Sequence, residues 1–253
     1  MDTKKGIRKA ISVSAFFPCY NDAGTIASMV ELATLTLKKL TNDFEVIVVD
    51  DGSEDASRKI LTELALKNKY LKLVFHKENK GYGGALISGF KTASREFVFY
   101  TDGDFQYDVG ELDKLLEKVN ARVDIVQGYK IKRQDPWYRI IIGDIYNFAV
   151  KLLFAIKIRD VDCDFRLIRR SVFNNVKLTH NSGVVTVEMV KKIQDGGFKF
   201  IEVPVSHFNR SYGHSQFFNL QRIARVAWEI IDLWRELVFV KWQRTNSSGA
   251  KMF

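Results

Sequence analysis

Cysteine, proline and long apolar runs are scarce in this sequence. Only two cysteines and three prolines occur among its 253 residues. Cys19 and Cys163 form no zinc-type or redox-type spacing, so we expect reduced thiols in a cytosolic compartment. No window approaches the ~20 uninterrupted apolar residues that a membrane-spanning helix needs. The charged N-terminus has no apolar signal core, and we therefore expect a soluble protein or one peripheral to a membrane.

Positive charge is abundant on a chain of ordinary hydrophobicity. The formal net charge is +9, and 46% of the residues are hydrophobic. This apolar fraction suffices for a sizeable core in one large α/β domain or two small ones. The charge favours an anionic partner, which is a nucleotide, a phospholipid, a lipid phosphate or a nucleic acid. Composition alone does not choose among the four.

The first two-fifths of the chain alternate between strand-like and helix-like segments. Strands are predicted over 11–17, 44–49, 70–76 and 97–101, and helices over 23–40, 55–67 and 85–93. Asn21 or Asp22 is a plausible N-cap for the first helix. The alternation implies a parallel sheet with right-handed crossovers. Ligands bind beyond the carboxyl ends of such strands, so polar residues after Phe17, Val49 and Thr101 should converge on one rim.

The rest of the chain is mixed. It is predicted to hold helices over 109–119, 140–158, 184–195 and 217–242, strands over 123–129 and 200–205, and a strand or turn over 160–170. The apolar segment 140–158 has two interpretations, a core helix or an amphipathic helix lying partly at a bilayer surface. The segment 217–242 combines aromatic and basic residues, which gives it an amphipathic character. No Pro/Gly/Ser linker separates these elements.

The strongest motif is Asp102-Gly-Asp104-Phe-Gln106, directly after an apolar strand. Two carboxylates and an amide at a strand end suit Mg²⁺ or Mn²⁺, hard cations that often accompany a phosphorylated substrate. A solvated acidic loop is the simpler alternative. A cation held there would offset charge on a leaving diphosphate.

Other motifs have two interpretations each. Asp50-Asp51-Gly-Ser53 is a turn with a helix N-cap, or a nucleotide site in which Asp51 accepts from an imide N–H or ribose hydroxyls. The segment 80–85 contains Gly81 and is a turn or a loop beside the substrate. The loop from Arg210 to Ser215 binds phosphate or is a surface loop. The basic side chains of Lys130 and Arg139 more simply form a solvated face.

Six motifs in one order resemble a known family. They are Pro18-x-Tyr20-Asn21-Asp22, Val49-Asp50-Asp51-Gly52-Ser53-x-Asp55, Asn79-x-Gly81-x-Gly83-x-Ala85, Asp102-x-Asp104-x-Gln106, Asp164-Phe165-Arg166-x-x-Arg169-Arg170, and Glu202-Val203-Pro204-Val205 followed by Arg210-x-x-Gly213-x-Ser215. Together they resemble family 2 glycosyltransferases of the GT-A fold, especially the dolichyl- or polyprenyl-phosphate mannose and glucose synthases. The resemblance covers roughly residues 11–218.

The resemblance implies a Rossmann-like α/β fold with a mostly parallel sheet, flanking helices and C-terminal amphipathic helices. It implies an inverting, metal-dependent transfer of sugar from a nucleotide-diphospho-sugar to a lipid phosphate, with Mg²⁺ or Mn²⁺ as cofactor. Asp104 and Arg210 would be catalytic. The implied donor-binding residues are Pro18, Tyr20, Asp22, Asp51, Gly81 and Asp102, the metal ligands are Asp102, Asp104 and Gln106, and the acceptor-phosphate residues are Lys130, Arg139, Arg210 and Ser215.

The implied organisation is a catalytic domain over 1–215, an amphipathic segment over 216–244 that contacts a membrane, and a flexible tail over 245–253. We expect a protein peripheral to the cytoplasmic face of a membrane that binds no nucleic acid, with homo-oligomers left open. The sequence departs from the family pattern at Asp22, Cys163, Gln216 and the residues after Gln106, which bears on the acceptor pocket.

Three rival functions remain. The first is transfer to a hydroxyl on a glycan or protein, which would need a carboxylate base such as Glu188 or Asp164. The second is a nucleotidyltransferase, which would release pyrophosphate. The third is a non-enzymatic module that binds nucleic acid or membrane through its charge.

Overall fold

The structure is a computed structural model that describes residues 10–131, 136–208 and 220–240. Within these residues seven strands form one sheet. They are β1 Ser12–Cys19, β2 Asp43–Asp50, β3 Leu71–Phe75, β4 Phe97–Thr101, β5 Ile125–Ile131, β6 Phe165–Arg169 and β7 Phe200–Ser206. The predicted domain boundary at 215 and the predicted tail lie outside the described residues.

The sheet has the order β3-β2-β1-β4-β6-β5-β7. The pairs β1–β2, β2–β3, β1–β4 and β5–β7 are parallel, whereas β6 runs antiparallel to both β4 and β5. The carboxyl ends of β1, β2 and β4 therefore lie at one edge, as the alternating pattern predicts. The mostly parallel α/β sheet of the sequence analysis is confirmed.

Helices cover both faces of the sheet. They are α1 Ile26–Leu40, α2 Ser57–Lys67, α3 Gly81–Thr92, α4 Leu112–Leu116, α5 Trp137–Phe154, α6 Val185–Asp195 and α7 Leu220–Trp234. One core cluster joins α1, α2 and α4 to one face, and a second joins α3 and α6 to the other. Because β1 and β2 are buried on both sides, they form near-continuous apolar runs instead of alternating patterns.

The predicted start and N-cap of the first helix are wrong. The first helix begins at Ile26 with Thr25 at the N-cap position, and neither Asn21 nor Asp22 is its cap. Asn21 has a positive φ of 56°, and its Oδ1 accepts a hydrogen bond from Glu54 N at 2.9 Å. It therefore braces the chain that leads into α2, across the sheet edge. The backbone carbonyl of Asp22 accepts from Thr25 N and Ile26 N instead.

The glycine-rich segment is the first turn of α3, and its predicted role as a turn before the helix is wrong. Its glycines permit close approach to the loop that precedes α6. Gly83 N donates to Asn181 O at 2.8 Å. A Cβ at Gly83 would overlap the carbonyl oxygen of His180 and come within 2.8 Å of the carbonyl carbon of Asn181. Helix α3 is thus fixed at its N-terminus by backbone contact.

The exposed side of α5 contradicts the core-helix interpretation of segment 140–158. Among its side chains only those of Val150 and Phe154 are buried, and they pack with α6 and α7 in a third cluster. The helix exposes most of its other large apolar side chains, namely Trp137, Tyr138, Ile141, Ile142, Ile145, Phe148, Leu152 and Leu153. No helix in the described parts of the chain has the length and hydropathy to cross a membrane.

The contact at Gly83 gives a stability prediction. Gly83→Ala should lower the free energy of unfolding by about 1–3 kcal/mol, because the new methyl group must displace backbone at 180–181. Chemical denaturation monitored by circular dichroism measures this. Gly183→Ala is the matched control, since a Cβ at Gly183 meets no atom within 4 Å. Equal stability of the two variants would contradict the close approach.

Candidate functional site

The ends of β1, β2 and β4 meet at one rim, as predicted. Asp51 N donates to Cys19 O at 2.9 Å, which joins the end of β2 to that of β1. The loop after β4 lies against the same place, because a Cβ on Gly103 would stand 2.9 Å from Pro18 O. That Cβ would also lie 3.8 Å from a carboxylate oxygen of Asp22. The residues predicted to bind a nucleotide and a cation therefore share one site.

Asp50 and Asp51 have different environments. Asp50 is fully buried, and its Oδ1 accepts from Arg58 Nε at 2.6 Å and from Ser53 N at 3.3 Å. Asp51 is 4% exposed, and its Oδ1 accepts from Lys80 N at 2.8 Å and lies 2.6 Å from His76 Nδ1. Asp50 thus holds the turn, while Asp51 faces the start of α3.

The remaining predicted donor-binding residues line the same edge. Pro18 is the next-to-last residue of β1, and Tyr20, just beyond the strand, is 40% exposed. Asp22 folds back, so that its Oδ2 accepts from Tyr20 N at 3.1 Å. Gly81 has a φ of +81°, and a Cβ there would lie 2.5 Å from Asn181 O. Both facts explain why this position is a glycine.

The two carboxylates of the strongest motif are held separately. Asp102 Oδ1 accepts from the hydroxyl of Tyr82 at 2.7 Å. Burial and the nearby Asp102 carboxylate raise the pKa of Tyr82 well above its usual range, so the phenol stays protonated and donates. Asp104 is buried and accepts from Gln106 N at 3.1 Å. Phe105, between Asp104 and Gln106, has a φ of 66°, a strained conformation typical of functional loops.

Gln106 links this loop to the end of β7. Its Nε2 donates to Phe208 O at 3.2 Å, and Phe208 N donates to Gln106 O at 2.9 Å. The side-chain nitrogen therefore braces the segment after β7, and ligation of a cation by Gln106 stays a prediction. Arg210 and Ser215 are outside the described residues.

The donor set at Asp102 and Asp104 fits Mg²⁺ or Mn²⁺. Both ions take oxygen ligands, and Mg²⁺ is commonly held by one or two carboxylates together with substrate phosphates and water. The described residues contain no cluster of three His, Cys, Asp or Glu side chains that could hold a metal by themselves. The two carboxylates therefore suit a cation that takes its remaining ligands from a diphosphate and water.

A buried guanidinium supports the rim from below. Arg166 on β6 is 1% exposed and donates from Nε to Gln127 Oε1 at 2.6 Å and from Nη1 to Asp164 Oδ1 at 2.8 Å. It also donates to the Tyr100 hydroxyl, which itself donates to Asp164 at 3.0 Å. The sequence contains this residue only as part of the Asp164-Phe165-Arg166 motif. The burial of Arg166 could not be predicted without knowing that β6 lies between β4 and β5 and runs antiparallel to both.

Lys130 lies at the end of β5 on the same rim. Its side chain is 6% exposed, with Nζ 3.7 Å from Asp160 and 3.6 Å from Asp162. The solvated-face interpretation is therefore wrong for Lys130. A polar cavity of about 180 Å³ lies beside it, between β5, α5 and the 159–162 loop. Arg139 is half-buried in the first turn of α5.

The two carboxylates considered as bases for a hydroxyl acceptor are both occupied. Glu188 is fully buried and accepts from Thr179 N at 3.0 Å, His180 N at 3.1 Å and Lys192 Nζ at 2.5 Å. Although burial acts to raise it, these donors hold the pKa of Glu188 below its usual range. Asp164 Oδ1 accepts from Arg166 and Tyr100, and its side chain is 11% exposed. The base role is therefore contradicted for Glu188, and for Asp164 it stays a prediction.

Comparison with known sequences identifies a family match. The family model "Glycosyl transferase family 2" matches residues 14–177. An undecaprenyl-phosphate 4-deoxy-4-formamido-L-arabinose transferase of Aeromonas hydrophila is 25% identical over 220 residues, which cover 87% of this chain and 66% of that protein. The enzyme of the same name from Proteus mirabilis is 27% identical over 224 residues, which cover 88% and 67%. The chain spans about two thirds of the length of these relatives.

Comparison with solved structures supports the fold. Glucosyl-3-phosphoglycerate synthase from Mycobacterium tuberculosis, in complex with Mn²⁺, UDP and glucosyl-3-phosphoglycerate, has a TM-score of 0.69 at 15% identity, covering 92% of this chain and 82% of that chain. The same enzyme with Mg²⁺ and UDP has a TM-score of 0.67 at 12% identity, covering 93% and 82%. At this identity the likeness concerns the fold alone.

Removal of the buried guanidinium should destabilise the rim strongly. Arg166→Leu should lower the free energy of unfolding by about 3–5 kcal/mol, because Asp164 would keep a buried charge without its partner. Arg169→Leu is the control, since Arg169 pairs with the half-exposed Glu96 and should cost less than about 1 kcal/mol. Urea unfolding compares the two, and similar losses would contradict the assigned role of Arg166.

Proposed function

The chain belongs to glycosyl transferase family 2, and we propose that it transfers a sugar from a nucleotide-diphospho-sugar to a polyprenyl or dolichyl phosphate. The single observation that carries this proposal is the meeting of Asp51 with Asp102 and Asp104 at one rim. It offers a polar contact for a nucleoside at one end and carboxylates for a diphosphate-bound cation at the other. The acceptor is proposed from the relatives, which are named for undecaprenyl phosphate.

The donor would lie along the ends of β2, β1 and β4. Pro18, Tyr20, Asp22, Asp51 and Gly81 would contact the nucleotide. Asp102 and Asp104, with Gln106, would hold Mg²⁺ or Mn²⁺. When bound, the cation offsets the charge that builds on the departing diphosphate. Tyr82 and Gln106 N orient the two carboxylates for this task.

The acceptor phosphate would attack the anomeric carbon from the face opposite the diphosphate, which inverts the configuration. A phosphate is already anionic at neutral pH, so the reaction needs no strong base. The burial of Glu188 among its donors removes one of the two bases considered for a hydroxyl acceptor. Basic and hydroxyl side chains would orient the phosphate and lower the entropic cost of attack; these are Lys130, Arg139, Arg210 and Ser215.

Contact with the cytoplasmic face of a membrane would bring the lipid to the rim. The exposed apolar residues of α5 lie mainly along one side of the helix, since 141, 145, 148 and 152 are three or four positions apart. Trp137 begins the same helix and is 74% exposed. The amphipathic segment predicted over 216–244 contributes Trp228 and Ile231 of α7, both exposed. A helix of this kind suits the boundary between headgroups and acyl chains.

Activity should depend on Asp104. In assays with Mn²⁺, a panel of radiolabelled nucleotide sugars and undecaprenyl phosphate, Asp104→Asn should lower the transfer rate by about 10²–10³-fold. The amide keeps an oxygen that accepts from Gln106 N, so the unfolding midpoint should equal that of the wild type. Asp108→Asn is the control, because Asp108 only caps the short turn at Gly110 and asparagine caps equally well.

The same assay separates the rival functions. Transfer to a soluble sugar but not to the lipid phosphate would favour the hydroxyl acceptor, and release of pyrophosphate would favour a nucleotidyltransferase. Wild-type turnover by Asp104→Asn would overturn the proposed site. Dependence on Mg²⁺ or Mn²⁺ is checked by chelation and by restoring the cation.

Membrane contact is tested by co-sedimentation with phosphatidylglycerol and phosphatidylcholine vesicles. The triple substitution Ile145→Ser, Phe148→Ser and Leu152→Ser should weaken binding about tenfold or more, because each removes exposed apolar surface. Leu66→Ser is the control, since Leu66 is 85% exposed on α2, away from this helix. Equal vesicle binding by the triple variant and the wild type would exclude α5 as the contact.

A further inference from the structure

Three side chains from separate elements, those of Asp51, His76 and Ser88, form a chain of hydrogen bonds. His76 follows β3 and is 5% exposed, and Ser88 lies on α3. His76 Nδ1 is 2.6 Å from Asp51 Oδ1, and His76 Nε2 is 2.8 Å from Ser88 Oγ. These three positions share no sequence motif, since 25 and 12 residues separate the successive members.

The hydrogen-bond network fixes the role of one ring nitrogen of His76. A carboxylate only accepts, so Nδ1 carries a proton and donates to Asp51. The hydroxyl of Ser88 can donate or accept, so it satisfies Nε2 in either role. The ring is therefore hydrogen-bonded at both nitrogens.

The backbone of His76 is fixed as firmly as its ring. His76 N donates to Asp50 O at 2.9 Å, and its carbonyl accepts from the guanidinium of Arg58. Arg58 also donates to Asp50 at 2.6 Å. The turn after β2 and the end of β3 are therefore locked together around the imidazole. A buried residue with two hydrogen bonds to its ring and two to its backbone is suited to position another group.

We infer that His76, held by Ser88, is the residue that positions Asp51 for the nucleoside of the donor. This inference rests on the proposed function. Both hydrogen bonds of the Asp51 side chain within the described residues, from His76 and from Lys80 N, end on Oδ1. They leave Oδ2 as the oxygen for an N–H or hydroxyl of the nucleoside. The preset carboxylate lowers the ordering cost of binding.

Two substitutions of His76 separate positioning from packing. In His76→Asn the amide nitrogen takes the place of Nδ1 and still donates to Asp51. In His76→Gln the amide falls near Nε2, so the contact with Ser88 can persist while that with Asp51 is lost. Ser88→Ala removes the outer support, and Thr92→Ala is its control, a hydroxyl deletion one turn along the same helix.

Binding is measured by calorimetry with Mn²⁺ and either a nucleoside diphosphate panel or inorganic pyrophosphate. His76→Gln should bind the preferred nucleoside diphosphate about 10- to 100-fold more weakly, while His76→Asn stays within about threefold of wild type. Pyrophosphate affinity should be unchanged in every variant, because it probes only the Asp102 and Asp104 end. In turnover assays His76→Gln should raise the donor KM and leave kcat within about threefold. Ser88→Ala should weaken nucleoside diphosphate binding by a few fold, and Thr92→Ala should not.

The opposing outcomes are distinct. Equal nucleoside diphosphate affinity in wild type and His76→Gln would overturn the positioning role while leaving the proposed function intact. Parallel loss of pyrophosphate binding, or an equal loss in His76→Asn, would show a general structural effect and would also overturn it. A wild-type protein that binds pyrophosphate but no nucleoside diphosphate would overturn the proposed function itself.

Discussion

The buried charge of Arg166 is the interaction on which one half of the rim depends. A guanidinium that is 1% exposed must find a partner for its charge and for its hydrogen-bond donors, or the fold loses several kcal/mol. The partners come from β4, β5 and the loop before β6, namely Tyr100, Gln127, Asp164 and Val161 O. These contacts tie β6 to β4 at Tyr100. Tyr100 lies two residues before Asp102, where the proposed cation-binding loop begins.

The other half of the rim depends on helix α3. Its N-terminal residues reach both ends of the proposed donor, because Lys80 N donates to Asp51 and Tyr82 donates to Asp102. Ser88 on the same helix supports His76. The helix reaches these groups because its glycines let it lie against backbone at 180–181, which Glu188 holds in place. Thus Glu188, a possible base by sequence alone, has a structural role and supports the loop that contacts α3.

Sequence patterns predicted the parts of the fold that local rules govern. The strand–helix alternation and the acidic strand ends located the rim, since parallel strands place their carboxyl ends together. Tertiary contacts decided the remainder. The glycines at 81–84 lie in the first turn of α3 against a loop that is distant in the sequence. The periodicity of α5 could not distinguish buried apolar residues from exposed ones. His76 gave no signal, because its partners Asp51 and Ser88 come together only in the folded sheet. The roles of Arg210 and Ser215 stay predictions.

The position of α5 connects the apolar surface to the chemistry of the rim. Lys130 is the next-to-last residue of β5 and lies beside Asp160 and Asp162, and α5 begins at Trp137, seven positions after Lys130. A lipid whose chain lies along the exposed side of α5 would therefore have its phosphate near the end of β5. There the ammonium group of Lys130, which is already paired with Asp160 and Asp162, can exchange one carboxylate for the phosphate. The charge of Lys130 then keeps a partner throughout. This continuity supports a lipid phosphate as the acceptor, because a soluble sugar would gain nothing from the apolar helix.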